Sequence, residues 1–491
     1  MDREHACEMT VRGDAGHDEP NPTKVTSSRE RKLLLKVDLC VLPTVIVLYL
    51  LCFIDRTNIG NARIAGLEED LDLEGYDYNV VLSAFYVSYI VFEIPATLCC
   101  KLIGPGWFLP LTSLGFGAVS IATAFVRTRA QACAVRFLLG LFEAGVLPGC
   151  VYYLSRWYKR SELTFRLGLW LSMAPLAGAF GGMIASAILK LSSVGSFHGW
   201  QMIFAIEGIV TMCLALVAFF TLTDRPDTAR WMTEDEKRMV VGRIKSERLN
   251  QTELLDKIDT SKLLRGFSNP VTLAISFIFL LDSITVIAIS FFLPTIVRTI
   301  YPARTVVQQQ LLTVPPYIVG AVCTILITTV SWQMNSRQTL IALTGPFVIA
   351  GYAMFLATMN ASVRYAAIFL CASTCFSLAA MTNAQVSANV LSDSARSIAI
   401  GTNVFFGYVG ALIASWTYLP GDSPRYAIGN GINLACALTW TVIAISTKLW
   451  MSHDNRKREK RQVETSTELA SFSDDEIANL EWKHPAWRWK P

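Results

Sequence analysis

Twelve apolar runs, each long enough for a helix of about 20 residues, divide this 491-residue chain almost end to end. They fall at roughly 37–57, 78–99, 107–126, 130–155, 164–190, 200–223, 271–297, 309–330, 339–358, 363–388, 398–419 and 427–450. No water-soluble core can absorb that much continuous apolar chain. Composition agrees, with 52% hydrophobic residues, 17% charged and a mean hydropathy of +0.40. The expected architecture is an all-α membrane protein of twelve transmembrane helices. The even number of spans puts both ends of the chain on one side of the bilayer.

Lys and Arg beside the run ends predict which side that is. Arg31, Lys32 and Lys36 precede the first run, Arg156, Lys159, Arg160 and Arg166 separate the fourth from the fifth, and Arg456, Lys457, Arg458, Lys460 and Arg461 follow the twelfth. Positive loops stay in the cytosol, so both termini are expected there. Arg56, Arg63, Arg127, Arg129, Arg298 and Arg304 fall on the opposite side, the first two in a stretch shared with Glu68, Glu69, Asp70 and Asp72. The basic residues lie between apolar runs and the net charge is only +4, which argues against nucleic acid as a partner. The first 36 residues have no short apolar core, so no removable signal peptide is expected.

A polar stretch at 224–270 divides the chain into two six-helix halves, 37–223 and 271–450. Within it, Thr233-Glu-Asp-Glu236 has the pattern of a capping box opening an amphipathic helix, with Lys237, Arg238, Arg243 and Lys245 giving a basic face. Residues 1–36 and 451–491 read as cytosolic tails, mostly disordered. The 12 cysteines fall mainly inside apolar runs and read as small fillers. With 5 histidines, no phosphate-binding loop and no metal-spaced pair, no cofactor, metal or enzymatic activity is expected.

Charges inside the runs are the informative residues, since each costs roughly 2.5–3.5 kcal/mol at mid-bilayer and needs a partner, water or a function. They are Asp55 and Arg56 at the end of the first run, Glu93 in the second, Arg136 and Glu143 in the fourth, Glu207 in the sixth and Asp282 in the seventh. Arg136 and Glu143 are two helical turns apart on one face of a helix. A guanidinium stays charged and holds an anion through its planar fork, whereas a buried carboxyl group can exchange protons near neutral pH. The competing reading is a fixed Arg–carboxylate pair that only packs helices. Asp55 and Arg56 could also extend their heads to the interface. Gly178, Gly181 and Gly182 predict close helix packing. Pro95, Pro315 and Pro316 free backbone carbonyls in the second and eighth runs. Thr382, Asn383, Gln385, Ser387 and Asn389 form a polar cluster in the tenth, with Asn403 in the eleventh, suited either to a polar solute or to interhelical bonds.

These residues stand in strings that resemble the major facilitator superfamily, and within it the fungal allantoate-permease-like transporters of the anion:cation symporter family. The strings are Phe53-Ile-Asp-Arg-Thr-Asn-Ile-Gly-Asn-Ala-Arg63, Phe92-Glu-Ile-Pro95, Arg136-Phe-Leu-Leu-Gly-Leu-Phe-Glu-Ala-Gly-Val-Leu-Pro-Gly149 with Tyr152-Tyr-Leu-Ser155, and Ala177-Gly-Ala-Phe-Gly-Gly182. Gly199-Trp-Gln, Phe204-Ala-Ile-Glu-Gly208, Thr313-Val-Pro-Pro-Tyr317, Ser473-Asp-Asp-Glu-Ile477 and Pro485-Ala-Trp-Arg488 follow. The resemblance implies two pseudo-symmetric bundles, alternating access and proton-coupled symport of a small organic anion: a carboxylate, ureide, vitamin-like acid or small peptide. It implies proton coupling at Asp55 and Glu143 and substrate binding at Arg56 and Arg136, with Tyr86, Asn383 and Asn403 as further contacts; Glu207 looks structural. It also implies a monomer in the plasma membrane. A metabolite exporter of the same fold, or a transporter-like nutrient sensor, are the alternative functions. The chain departs from the family at Ala96-Thr97, at the short Lys101-Leu-Ile-Gly-Pro-Gly106 loop and at Ala388–Arg396.

Overall fold

The computed structural model describes residues 22–158, 160–191, 198–248, 266–334, 336–390, 393–460, 481–483 and 487–490. The stretches 1–21 and 249–265 and the Ser473–Ile477 string lie outside the described residues.

Lipid offers the backbone no hydrogen bonds, so each apolar run closes its own as helix. In the first half the helices are α1 (Pro22–Ala62), α2 (Asp77–Ile103), α3 (Pro105–Thr123), α4 (Arg129–Ser155), α5 (Arg166–Ile188) and α6 (Gly199–Thr221). The second half has α7 (Pro270–Ile300), α8 (Val306–Met334), α9 (Arg337–Ala357), α10 (Ala361–Ala388), α11 (Asp393–Ala414) and α12 (Ala427–Lys460). Among the described residues, eleven helices are long and apolar enough to cross a membrane; the apolar part of α11, Ile398–Ala414, is shorter. This is the expected twelve-helix fold.

Two boundaries differ from expectation in ways that matter. Helix α1 starts at Pro22, inside the stretch expected to be disordered, and continues past Ala62 through a π-helical turn, Arg63–Leu67. Asp55 and Arg56 therefore lie inside the bundle, each 4% exposed, and not at a helix end from which they could reach water. At the other end of the chain, α12 runs on to Lys460, and Trp487–Lys490 pack against the bundle where a disordered tail was expected. The Trp489 ring is buried beside Trp450, Trp482 and Trp487, and its indole N–H donates to Asp454 at 2.7 Å.

Part of the connector is helical. In the helix Glu234–Arg248, the Thr233 hydroxyl accepts from Glu236 N–H at 3.4 Å and the Glu236 carboxylate accepts from Thr233 N–H at 2.9 Å. Glu236 and Arg243 of this helix make contacts beyond the connector. Lys36 bonds Glu236 at 2.7 Å, and Arg243 pairs with Glu162 at 2.5 Å and with Glu30. The Lys36 ammonium and the Thr233 N–H hold the Glu236 carboxyl below the usual glutamate range.

The short α2–α3 turn is closed by an acid from the start of the connector. Gly104 has φ +94°, and a Cβ there would stand 2.6 Å from the Asp224 carboxylate. Asp224 also accepts from Gly106 N–H at 3.3 Å and pairs with Arg156 at 3.2 Å. On the far side of the bundle, Arg63 makes two bonds to Glu68, at 2.8 and 3.0 Å, and Arg129 pairs with Asp77 at 2.6 Å. Those arginines, exceptions to the charge rule in sequence, are thus neutralised locally.

The halves meet on the side away from the termini. Asn79 of α2 donates to the Ser415 carbonyl at 2.5 Å, Trp416 Nε1 donates to Ser83 at 2.8 Å, and Gln310 of α8 donates to the Asn61 carbonyl at 3.3 Å. Small residues permit this approach. A Cβ on Gly178 would meet the Tyr317 ring at 2.6 Å, one on Gly182 the Thr313 hydroxyl at 2.9 Å, and one on Gly60 the Phe291 carbonyl at 2.5 Å.

Candidate functional site: a buried charge cluster in the first half

Asp55 and Arg56 are neighbours in sequence, so about 100° of helix separates their directions. Arg56 turns to α4 and α2. Its Nε pairs with Glu143 Oε2, and the Cys52 thiol donates to that same oxygen at 3.2 Å. The guanidinium is caged by the Phe53, Phe85 and Tyr89 rings, with centroids at 5.3, 5.2 and 4.9 Å. Glu143 is fully buried at the last turn of the first segment of α4, Arg129–Glu143, immediately before the helix is broken at Ala144 and Gly145.

Asp55 turns the other way. Its Oδ1 accepts from the Ser120 hydroxyl of α3 at 2.9 Å, and Oδ2 has no hydrogen-bond partner among the described residues. Arg136 faces this carboxylate without bonding it. The Arg136 guanidinium lies 5.7 Å from the Phe204 ring, is 3% exposed, and its Nε and one terminal nitrogen are unpartnered.

The spacing of Arg136 and Glu143 puts both in the interior, but they do not pair with each other. Glu143 belongs to Arg56, and Arg136 is the cation left over. This difference separates two arginines that sequence treats alike.

The remaining predicted positions divide. Tyr86 is buried with its ring 6.0 Å from Phe291 of α7, and its hydroxyl is unpartnered. Asn403 donates to Asn383 at 3.1 Å, and Asn383 donates to the Ala379 carbonyl at 2.8 Å, so these two amides are brought together across α10 and α11. Gln385 and Asn389, from the same polar cluster, donate to the Lys490 carbonyl at 2.7 and 3.0 Å, and are thus taken up by the C-terminal segment. Asp282 is buried with both oxygens unpartnered, as is Glu207.

Sequence reading missed Tyr89 and Tyr408. The Tyr408 hydroxyl of α11 donates to the Tyr89 hydroxyl at 2.6 Å, with the rings 4.0 Å apart, and so links the second half to the cage around Arg56. Tyr89 was within reach of pattern reasoning, because it lies one helical turn from Tyr86. Tyr408 carries no such signal. Among the described residues, no His, Cys, Asp and Glu group is arranged to hold a metal ion.

A buried guanidinium without a counter-ion, beside a second one whose counter-ion is a carboxylate, is equipped to receive an anion and to exchange a proton. Residues 45–415 match the family model described as Major Facilitator Superfamily. The chain belongs to the Major Facilitator Superfamily. Within the superfamily it is 31% identical over 436 residues to an uncharacterized transporter of Schizosaccharomyces pombe, a match covering 89% of each chain. It is 28% identical over 447 residues to the high-affinity nicotinic acid transporter of Saccharomyces cerevisiae, covering 90% of this chain and 81% of that one. Among solved structures, a bacterial homolog of the human lysosomal transporter Spinster, in an inward-facing and unoccupied conformation, aligns with a TM-score of 0.62 at 15% identity, over 82% of this chain and 94% of the other. These relatives make this superfamily member a membrane transporter of a small molecule.

Proposed function

We propose that this transporter is a proton-coupled symporter of a small organic anion: a carboxylate, ureide, vitamin-like acid or small peptide. One observation carries the reading. Arg136 is buried with unsatisfied N–H donors while Arg56 is already neutralised by Glu143. An arriving carboxylate satisfies Arg136, and its negative charge is then balanced by a proton taken up at Asp55 or Glu143. Protonation of Glu143 releases Arg56, whose cage includes Tyr89 and hence the Tyr89–Tyr408 bond between the halves. Proton occupancy is thereby linked to the contact that must break for the site to change sides. Tyr86, Asn383 and Asn403 complete the substrate contacts.

With both termini in the cytosol of a plasma-membrane carrier, the bonds at Asn79, Ser83 and Gln310 lie on the outer side. The nicotinic acid carried by the yeast relative, as that protein's name gives it, is of the proposed substrate class.

The test is uptake of a panel of labelled acids, nicotinate and allantoate included, by cells expressing the full chain, with and without an uncoupler. At least one acid should accumulate above its external concentration, and the uncoupler should abolish that accumulation. Concentrative uptake that survives collapse of the proton gradient overturns the coupling; failure of every acid overturns the anion assignment.

A further inference from the structure

The charges buried in the first half do not balance. Two arginines, Arg56 and Arg136, face three carboxyl groups, Asp55, Glu143 and Glu207, all at most 5% exposed. Glu93, at the edge of the same cluster, would only enlarge the deficit. A bundle interior does not hold an uncompensated carboxylate, so Asp55, Glu143 and Glu207 together retain one proton.

Hydrogen bonding indicates where it sits. Glu143 is taken by Arg56 and Cys52, and Asp55 accepts from Ser120. Both Glu207 oxygens lack any partner among the described residues. Helix α6 packs on α3, on α1 with its π turn, and on α5. The span of α3 contains no charged residue, nor does α5 over Met173–Ile188. From α1 the facing charge is Asp55, close enough to repel a charged Glu207; Arg63 in the π turn is tied to Glu68. Arg136 of α4 meets α6 at the Phe204 ring. Among the described residues, no cation is bonded to Glu207.

Ser120 also ties Asp55 to α6: the hydroxyl that donates to Asp55 lies 3.4 Å from the Phe204 carbonyl, one helical turn before Glu207.

We propose that Glu207 is a proton-storing residue that shares a single resident proton with Asp55, so that loss of either carboxyl removes that proton. With the proton on Glu207 its O–H bond is present and Asp55 is the carboxylate; with the proton on Asp55 the O–H bond is there and Glu207 is the carboxylate. This rests on the symport reading for its use in transport: with one proton resident, each bound monoanion requires one more, and that second proton is the one carried across.

The test is made on the purified full chain in lipid nanodiscs at neutral pH, without solute, reading the infrared C=O stretch of protonated carboxyl groups. Glu207→Gln leaves two carboxylates for two arginines, and so does Asp55→Asn. Each single variant should therefore lose the same increment of protonated-carboxyl absorbance relative to wild type, while the signal from the separate buried Asp282 persists. Loss in Glu207→Gln alone would make Glu207 a permanently neutral packing group and overturn the sharing; loss in neither would overturn the resident proton. Asp55→Asn leaves the Glu207 side chain intact, so the result does not depend on one variant folding. Because no transport is measured, failure of the uptake assay sinks symport without touching this outcome. Conversely, an unchanged infrared increment sinks the proton store without touching uncoupler-sensitive uptake.

Discussion

Tyr408 donates a 2.6 Å hydrogen bond to Tyr89, whose ring in turn covers Arg56, so the contact between the halves and the buried Arg56–Glu143 pair share one side chain. Tyr408→Phe keeps the ring stacking and removes the bond. A buried hydrogen bond contributes about 1 kcal/mol net, so the state closed away from the termini should lose roughly fivefold in its equilibrium with the alternative state. Spin-label distances between α2 and α11 should report the shift; unchanged distance distributions would show that the hydroxyl contact does not hold the halves.

Glu143→Gln removes the charge opposite Arg56 and leaves the guanidinium caged by rings. Breaking a buried pair by losing one partner costs about 3–5 kcal/mol, so a lower thermal midpoint is expected, with recovery in Arg56→Gln/Glu143→Gln, where no charge is stranded. In transport, the single variant should keep exchange of the labelled acid between the two sides and lose uphill accumulation. A variant that still concentrates the acid would remove Glu143 from the coupling step.

Close approach of the halves is most exacting at Gly60, where an added Cβ would meet the Phe291 carbonyl, a backbone atom with no freedom to turn away. Overpacking of this kind costs about 1–3 kcal/mol. Because the clash exists only where α1 touches α7, Gly60→Ala should favour the state in which these helices separate. The readout is faster labelling of a cysteine placed at Asn61; labelling as slow as in the Gly60 parent would mean the interface yields elsewhere.

The spans and the interior position of Arg136 and Glu143 were legible in sequence, because lipid imposes run length and the cost of charge imposes rarity. What was not legible is partner choice. Spacing along α4 puts Arg136 and Glu143 on one face, yet Glu143 bonds Arg56, since its partner depends on how α1 is rotated against α4. Likewise Gln385 and Asn389 looked available to a solute until the chain end, about a hundred positions away, occupied them. Glu207 looked structural for the same reason: its lack of a partner belongs to α1, α3 and α6 together and to none of them alone.

Docking of the connector should depend on pH and salt. Glu236 is held below its ordinary range by Lys36, so the bond contributes stability above the ordinary glutamate value and loses it as pH falls through the lowered one. Both side chains are partly exposed, and the effect is correspondingly small and screened. Proteolysis within the connector should accelerate at low pH in wild type. In Lys36→Gln the acceleration should begin nearer the ordinary glutamate value; identical profiles would mean that the Arg243 pairs alone hold the helix.

The C-terminal segment is fastened by a buried ring and by backbone bonds, and these can be separated by substitution. Asn455 exchanges two bonds with Trp489, accepting from its N–H at 2.8 Å and donating to its carbonyl at 2.9 Å, and Asn389 does the same with Lys490 at 2.9 and 3.0 Å. Trp489→Ala empties the space between Trp450 and Trp482, a loss of about 3–5 kcal/mol for a large aromatic. The backbone bonds alone do not offset this, so the segment should detach. Asn389→Ala removes only the α10 anchor and should leave the ring seated. Hydrogen exchange at the backbone amides of residues 487–490 distinguishes the two: rapid exchange throughout for Trp489→Ala, and a selective increase at Lys490 for Asn389→Ala. Equal exchange in both variants would show that the bonds to α10, and not the ring, hold the chain end.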